Sequence, residues 1–148
     1  MSTNRIHAKG DFEYIEHAVN AASIKPGMLL YIDSSDEFGV HADEGGRGDL
    51  IIGIEDALQG NGVSTAYTDG EIAPAMIPHT GCSFYGLLED GQNAVIGSEL
   101  ISAGNGKFKL IGDLESGESA DKVMCMAEEA KDLTGSNTSD TLTLMRAL

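Results

Sequence analysis

Positive charge is scarce in this chain: nine Lys and Arg stand against 24 Asp and Glu, a formal net charge of −15. Such a field repels the phosphate backbone of DNA and RNA and anionic membrane surfaces, so neither nucleic acid nor membrane is an expected partner. No uninterrupted apolar window of about 18 residues exists, and no segment reads as a membrane-spanning helix. Tryptophan is absent, and only three Pro accompany 19 Gly; that balance favours many turns over long helices. Cysteine is limited to Cys82 and Cys125, with no CxxC and no neighbouring ligand cluster. They read as buried free thiols rather than a disulfide or a metal centre. The first ten residues lack the apolar core and small-residue cleavage site of a secretory signal, so the cytoplasm is the expected compartment of synthesis and residence.

What the chain does have is the vocabulary of short strands. Its 148 residues sit near the commonest domain size and bury roughly two thirds of the unfolded surface, and the 41% apolar share suffices for one core. Residues 28–32 read as a strand ended by the polar cluster 33–36, with 38–41 as its hairpin partner. Residues 50–56 form another, in which Gly53 marks a bulge or a close backbone approach. Residues 63–67 are a further candidate. Asp69-Gly70 then turns into 71–77, where Pro74 and Pro78 cannot donate to a ladder and demote the stretch to an edge or interrupted strand. Residues 82–88, 94–96, 100–102 and 107–111 follow, with Asp90-Gly91 and Asn105-Gly106 as turns. Residues 122–130 fit either a strand or a short helix. Residues 141–145 alternate with period two and predict a closing strand with Leu142 and Leu144 inward. Strands at spacings of about 8–12 residues predict a mainly β fold, a small β-barrel or β-sandwich.

Residues 1–22 differ from the rest, carrying two of the nine basic side chains and two of the four His. They read as an N-terminal arm ahead of a β-rich domain of residues 23–148. Phe12, Ile15, Val19 and Ala22 fit a helical stripe, while Phe12, Tyr14 and Glu16 fit an extended alternation; so short a run does not arbitrate, and an extended arm is the reading taken.

Catalytic and metal signatures are weak throughout. His7, His17, His41 and His79 show no HExxH spacing and read as solvated or hydrogen-bonded. Gly81-Cys82-Ser83-Phe84-Tyr85-Gly86 has one residue too many for a nucleophile elbow. Gly104-Asn105-Gly106-Lys107 lacks the spacing and following Ser/Thr of a phosphate loop and is a hairpin turn. Asp33, Asp36 and Glu37 crowd three carboxylates into five residues without the Gly and terminal Glu of an EF-hand, which makes a solvated turn. Arg47-Gly48-Asp49 and the glycosylation-type Asn137-Thr138-Ser139 are ordinary loop words. No nucleophile–base set or carboxylate pair declares itself, so the expectation is a protein that is not an enzyme and holds no cofactor or metal.

Several phrases in order, Ile24-Lys25-Pro26-Gly27-Met28-Leu29, Tyr67-Thr68-Asp69-Gly70-Glu71, Gly91-Gln92-Asn93-Ala94-Val95-Ile96-Gly97-Ser98-Glu99-Leu100, Asn105-Gly106-Lys107 and Val123-Met124-Cys125-Met126-Ala127-Glu128-Glu129-Ala130, run through most of the chain. Together they resemble the head decoration, or capsid cement, proteins of tailed bacteriophages and related viruses. The resemblance implies a β-tulip-like domain, a homotrimer, and a place on the outer capsid surface of the virion at local threefold axes. There the protein would clamp neighbouring major capsid subunits. Strand addition by residues 1–22 would supply the contact, with Arg5 and Lys9 meeting acidic capsid surface and Phe12, Tyr14 and Ile15 as apolar anchors. Two alternatives belong to other classes: a β-rich trimeric enzyme with its site at subunit boundaries, and a virion-surface recognition module. A lipoyl or biotinyl carrier is disfavoured because no Lys lies between Lys25 and Lys107.

Overall fold

A computed structural model of the chain describes residues 3–20 and 23–148. Among the described residues thirteen strands follow one another: β1 (His7–Lys9), β2 (Phe12–Ala18), β3 (Leu29–Ile32), β4 (Phe38–Val40), β5 (Ile51–Gly53), β6 (Ile72–Pro78), β7 (Ser83–Leu88), β8 (Asn93–Ala94), β9 (Glu99–Ser102), β10 (Phe108–Leu110), β11 (Cys125–Ala127), β12 (Lys131–Asp132) and β13 (Thr141–Ala147). No helix among the described residues is long and apolar enough to cross a membrane.

Five of the strands close a barrel in the order β7-β10-β9-β11-β13, sealed by six residue pairs between β13 and β7, and β1 adds to the first half of β7. A second, five-stranded sheet runs β2-β6-β5-β3-β4. Its two ends are joined beyond β2 by the Val19–Phe38 bridge and the Asn20 N–H donating to the Phe38 carbonyl at 2.9 Å. The mainly β, barrel-containing architecture expected from strand spacing is therefore what forms.

The continuous apolar runs explain how the two halves pack. A strand covered on both faces needs no polar alternation. Leu30, Ile51 and Ala75 point into the core of the second sheet, while Leu29, Ile52 and Met76, each one residue away, point into the core shared with the barrel. Backbone bonds then stitch the halves together. Leu29 donates to the Gly106 carbonyl at 2.7 Å, and Gly106 donates to His41 at 3.1 Å. The buried His41 ring completes the seam, with Nδ1 2.8 Å from Ser102 Oγ and Nε2 2.9 Å from the Arg47 carbonyl. Cys82 and Cys125 are free and buried, and burial raises both thiols above their ordinary range.

Four expectations are revised. Residues 63–67 form no strand; Thr65 closes a turn onto Gly62, and Tyr67 meets Ile24 in an isolated bridge with its ring in the second core. Residues 94–96 do not continue as one strand, because β8 ends at Ala94 and a tight turn follows. The face of β13 is inverted: Thr143 and Met145 are fully buried and Leu142 and Leu144 are not. The barrel interior is narrow, and Thr143 sits there opposite Gly86, whose missing Cβ leaves room for Met145 and Phe108. Finally, β6 is an inner, uninterrupted strand between β2 and β5 despite its two prolines.

Register explains that tolerance. The Val19 N–H bond to the Glu71 carbonyl sets the hydrogen-bonded pairs of β2 and β6 at odd-numbered positions, so Pro74 and Pro78 fall at positions that owe β2 no donor. On the other side, Ile54 donates to the Pro74 carbonyl at 3.1 Å, and the reciprocal donor is the one proline lacks. The Tyr67 hydroxyl fills the place, donating to the Ile54 carbonyl at 2.7 Å. Burial raises the Tyr67 phenol well above its ordinary range, with the nearby Asp56 and Glu55 charges adding to the effect. Tyr67→Phe leaves that carbonyl without a donor and is expected to cost about 1–3 kcal/mol in denaturant unfolding. Adding Pro74→Ala, which restores a backbone donor at that place, should recover part of the loss; an unchanged midpoint for Tyr67→Phe would contradict the assignment.

Candidate docking surface

The outer wall of the barrel over β7 and β13 lines two grooves. Directly opposed residues of neighbouring strands share a face, so the register places Lys9, Ser83, Arg146 and Met126 in one row across β1, β7, β13 and β11. Tyr85 with Leu144, and Leu87 with Leu142, form the rows beyond it. The chain leaving β11 borders this wall. Glu128 donates its N–H to the Leu144 carbonyl at 2.8 Å, Glu129 Oε1 accepts from the Leu144 N–H at 2.9 Å, and Ser83 Oγ donates to Glu128 Oε2 at 2.5 Å.

Two grooves open here, one bordered by Glu129 and the other by Glu128. The larger, about 750 Å³, is lined by Asn4, Tyr85, Leu142, Lys131 and Asp140 among others. Its charges are internally paired: Lys131 Nζ lies 3.7 Å from Glu129 Oε1, and Lys107 Nζ lies 2.8 Å from Asp140 Oδ2. Burial pushes the Asp140 carboxyl up, but the Lys107 ammonium and the Asp90 N–H outweigh it, and the net shift is downward. The smaller groove, about 290 Å³, is floored by Met126, Ala127 and Leu144 beside Ile96 and rimmed by Lys9 and Arg146. Arg146 Nη1 stands 3.8 Å from Glu128 Oε1, while Lys9 has no ion-pair partner among the described residues. Glu99, opposite Met126 in the register of β9 and β11, continues the same row, so the groove is an apolar seat with charges of both signs at its edge.

A tight turn supplies the apolar lip of the smaller groove. Ser98 donates its N–H to the Val95 carbonyl, the Val95 N–H is held by Ser98 Oγ, and two bonds tie the turn to β11: the Gly97 N–H donates to the Ala127 carbonyl and the Ala127 N–H donates to the Ser98 carbonyl. The turn leaves Val95 60% and Ile96 73% exposed. Sequence reasoning assigned this doublet to a strand. The signal against that was Gly97-Ser98 directly after it, a pair that suits a turn with the positive φ found at Gly97.

The residues singled out for capsid contact are dispersed. Residues 7–18 are extended, as read, but they are paired inside their own chain: β1 with β7, and β2 along all seven residues with β6. Met1, Ser2, Ala21 and Ala22 of the expected arm lie outside the described residues. Phe12 packs on the barrel-side core with its ring 4.7 Å from His7, and Ile15 packs on the second core from the opposite face of β2. Both are half-buried, on opposite faces of the outermost strand of the second sheet. Arg5, Lys9 and Tyr14 are exposed. The Tyr14 hydroxyl donates to Glu16 Oε1 at 2.5 Å, and that bond, with partial burial, pushes the phenol up to about 12. Of the five, Lys9 alone lines a groove of the barrel wall.

The acidic turn at 33–37 is a structural device. Asp33 accepts from Asn20 Nδ2 at 2.9 Å and from the N–H groups of Ser35 and Glu37 at 2.8 and 3.0 Å, bonds that hold its carboxyl below the usual range. Among the described residues no three His, Cys, Asp or Glu side chains group as a metal site.

No family model matches the chain, and no curated protein matches it. Among solved structures, the head fiber gp8.5 N base of bacteriophage phi29 is similar, with a TM-score of 0.58 and 11% sequence identity over 93% of this chain and 95% of that one. At that identity the likeness is one of fold, and it extends through both halves of the molecule rather than the barrel alone.

Proposed function

We propose that this chain is a structural protein of a bacteriophage head, a virion component that binds the outside of the capsid and has no catalytic role. The observation that carries the reading is the whole-length fold likeness to a phage head fiber base. In the finer form of the proposal, a homotrimer sits at local threefold axes and clamps neighbouring major capsid subunits, stabilising the head as a cement protein does. Lys9 and Arg5 would meet acidic capsid surface, and Tyr14 would contribute an exposed aromatic contact. Phe12 and Ile15 serve the docking surface indirectly by holding β2 in place.

The strong negative charge fits this role, since it keeps free assemblies soluble and apart from one another until they dock. Binding of the purified protein to heads that lack it tests the proposal. Saturable co-sedimentation supports it, and heads that leave the protein in the supernatant refute it.

A further inference from the structure

We infer that Asn61 is a site of spontaneous covalent modification: the backbone nitrogen of Gly62 closes on the Asn61 side chain, and the asparagine becomes aspartate or isoaspartate. The same triplet at Gly104-Asn105-Gly106 is held inert by its place in the fold. Neither statement depends on head binding.

Gly-Asn-Gly occurs twice in the chain, at 60–62 and 104–106. Asparagine is a chemically labile residue, most of all before glycine, which has no side chain to keep its nitrogen from the neighbouring carboxamide. The reaction takes only water as co-reactant. As Gly62 N bonds to Asn61 Cγ, the Cγ–Nδ2 bond breaks, the Gly62 amide proton leaves with Nδ2 as ammonia, and a cyclic imide remains. Water then opens the ring at one carbonyl to give aspartate or at the other to give isoaspartate, with no change of oxidation state. The first step requires a glycine nitrogen free of its hydrogen bond and a backbone free to turn toward the side chain.

The two copies of the triplet differ on both counts. The Gly106 N–H donates to the His41 carbonyl at 3.1 Å, and the Gly106 carbonyl accepts from the Leu29 N–H at 2.7 Å. The backbone there is packed so closely that an added Cβ would stand 3.2 Å from Val40 Cγ1. Asn105 is itself tethered, its Nδ2 donating to Glu89 Oε1 at 3.2 Å. By contrast, the Gly62 N–H has no backbone acceptor among the described residues, and Gly62 is exposed, with nothing within 4 Å of an added Cβ. The two glycines that follow an aspartate are tied down as Gly106 is: Gly70 donates to the Val19 carbonyl at 2.8 Å and Gly91 to the Leu133 carbonyl at 2.9 Å. Val63, next after Gly62, lines the larger groove. Conversion of Asn61 therefore adds a carboxylate at the border of that groove, and isoaspartate also lengthens the main chain by a methylene.

Peptide mapping by mass spectrometry, after incubation of the full chain in warm, mildly alkaline buffer, tests the inference. The Asn61 peptide should gain the mass difference between a hydroxyl and an amino group and split into two chromatographic species. It should do so about tenfold or more faster than the Asn105 peptide, where the two backbone bonds of Gly106 must break first. In denaturant the two triplets should react at similar rates. Gly62→Ala, which has room for its methyl, should slow the reaction at Asn61 and leave Asn105 as it was. Equal rates at the two sites in the folded chain, an Asn61 that outlasts Asn105, or Gly62→Ala reacting as fast as wild type would overturn the inference. So would a rate gap that persists in denaturant, since sequence rather than fold would then set it.

Discussion

A chain truncated to residues 23–148 is expected not to fold. The segment removed contains Ile6 and Val19, both fully buried, and Phe12 and Ile15, which pack on the two cores. Burying the first pair alone contributes about 3–6 kcal/mol. Net stabilities of whole domains are only about 5–15 kcal/mol. Deletion also strips β2 from β6 over seven residue pairs and removes the Val19–Phe38 bridge that joins the ends of the second sheet. The truncated protein should show no cooperative thermal transition by circular dichroism. A sharp transition near that of the full chain would mean that residues 1–22 are a dispensable arm after all.

Gly27→Ala is expected to be the most damaging single methyl in the molecule. Gly27 lies where the two halves meet: its N–H donates to the Gly53 carbonyl at 2.8 Å, and its carbonyl accepts from the Leu87 N–H at 2.9 Å. Its φ is +89°, and a Cβ there would stand 2.3 Å from Leu142 Cδ2 and 3.3 Å from the Tyr85 carbonyl oxygen. The leucine methyl can move in part, but the backbone conformation cannot change without breaking one of the two bonds. Left-handed strain and overpacking together cost roughly 2–5 kcal/mol. For a chain of this size that is a fall of roughly 5–20 °C in melting temperature by calorimetry. Leu142→Ala in the same background should return only the steric part. A drop below about 2 °C would show that the junction is more pliable than its geometry implies.

Much of this architecture was legible because turns and strands announce themselves locally. Asn105-Gly106 does join β9 to β10, and the polar cluster after Ile32 does close β3 onto β4. Three features were illegible for a common reason: each depends on a partner distant in sequence. Leu142 and Leu144 look like core residues until Met145 and Phe108, packed over Gly86, fill the barrel interior and turn the leucines outward. Pro74 looks like an edge marker until Tyr67 supplies the donor it lacks. Residues 7–18 look like an arm until their extended backbone finds β7 and β6. Of the candidate docking surface, Lys9 stands out in the sequence and lines the smaller groove, while the apolar lip formed by Val95 and Ile96 reads as strand because the doublet suits a strand as well as a turn.

The central claim is that this protein coats a phage head, and the most direct measurement is co-sedimentation with expanded heads purified without it, titrated to saturation alongside the mass of the free protein in solution. The account predicts saturable binding at a copy number matching the local threefold positions, in units of the oligomer that light scattering reports. Heads that sediment bare at every concentration would contradict it.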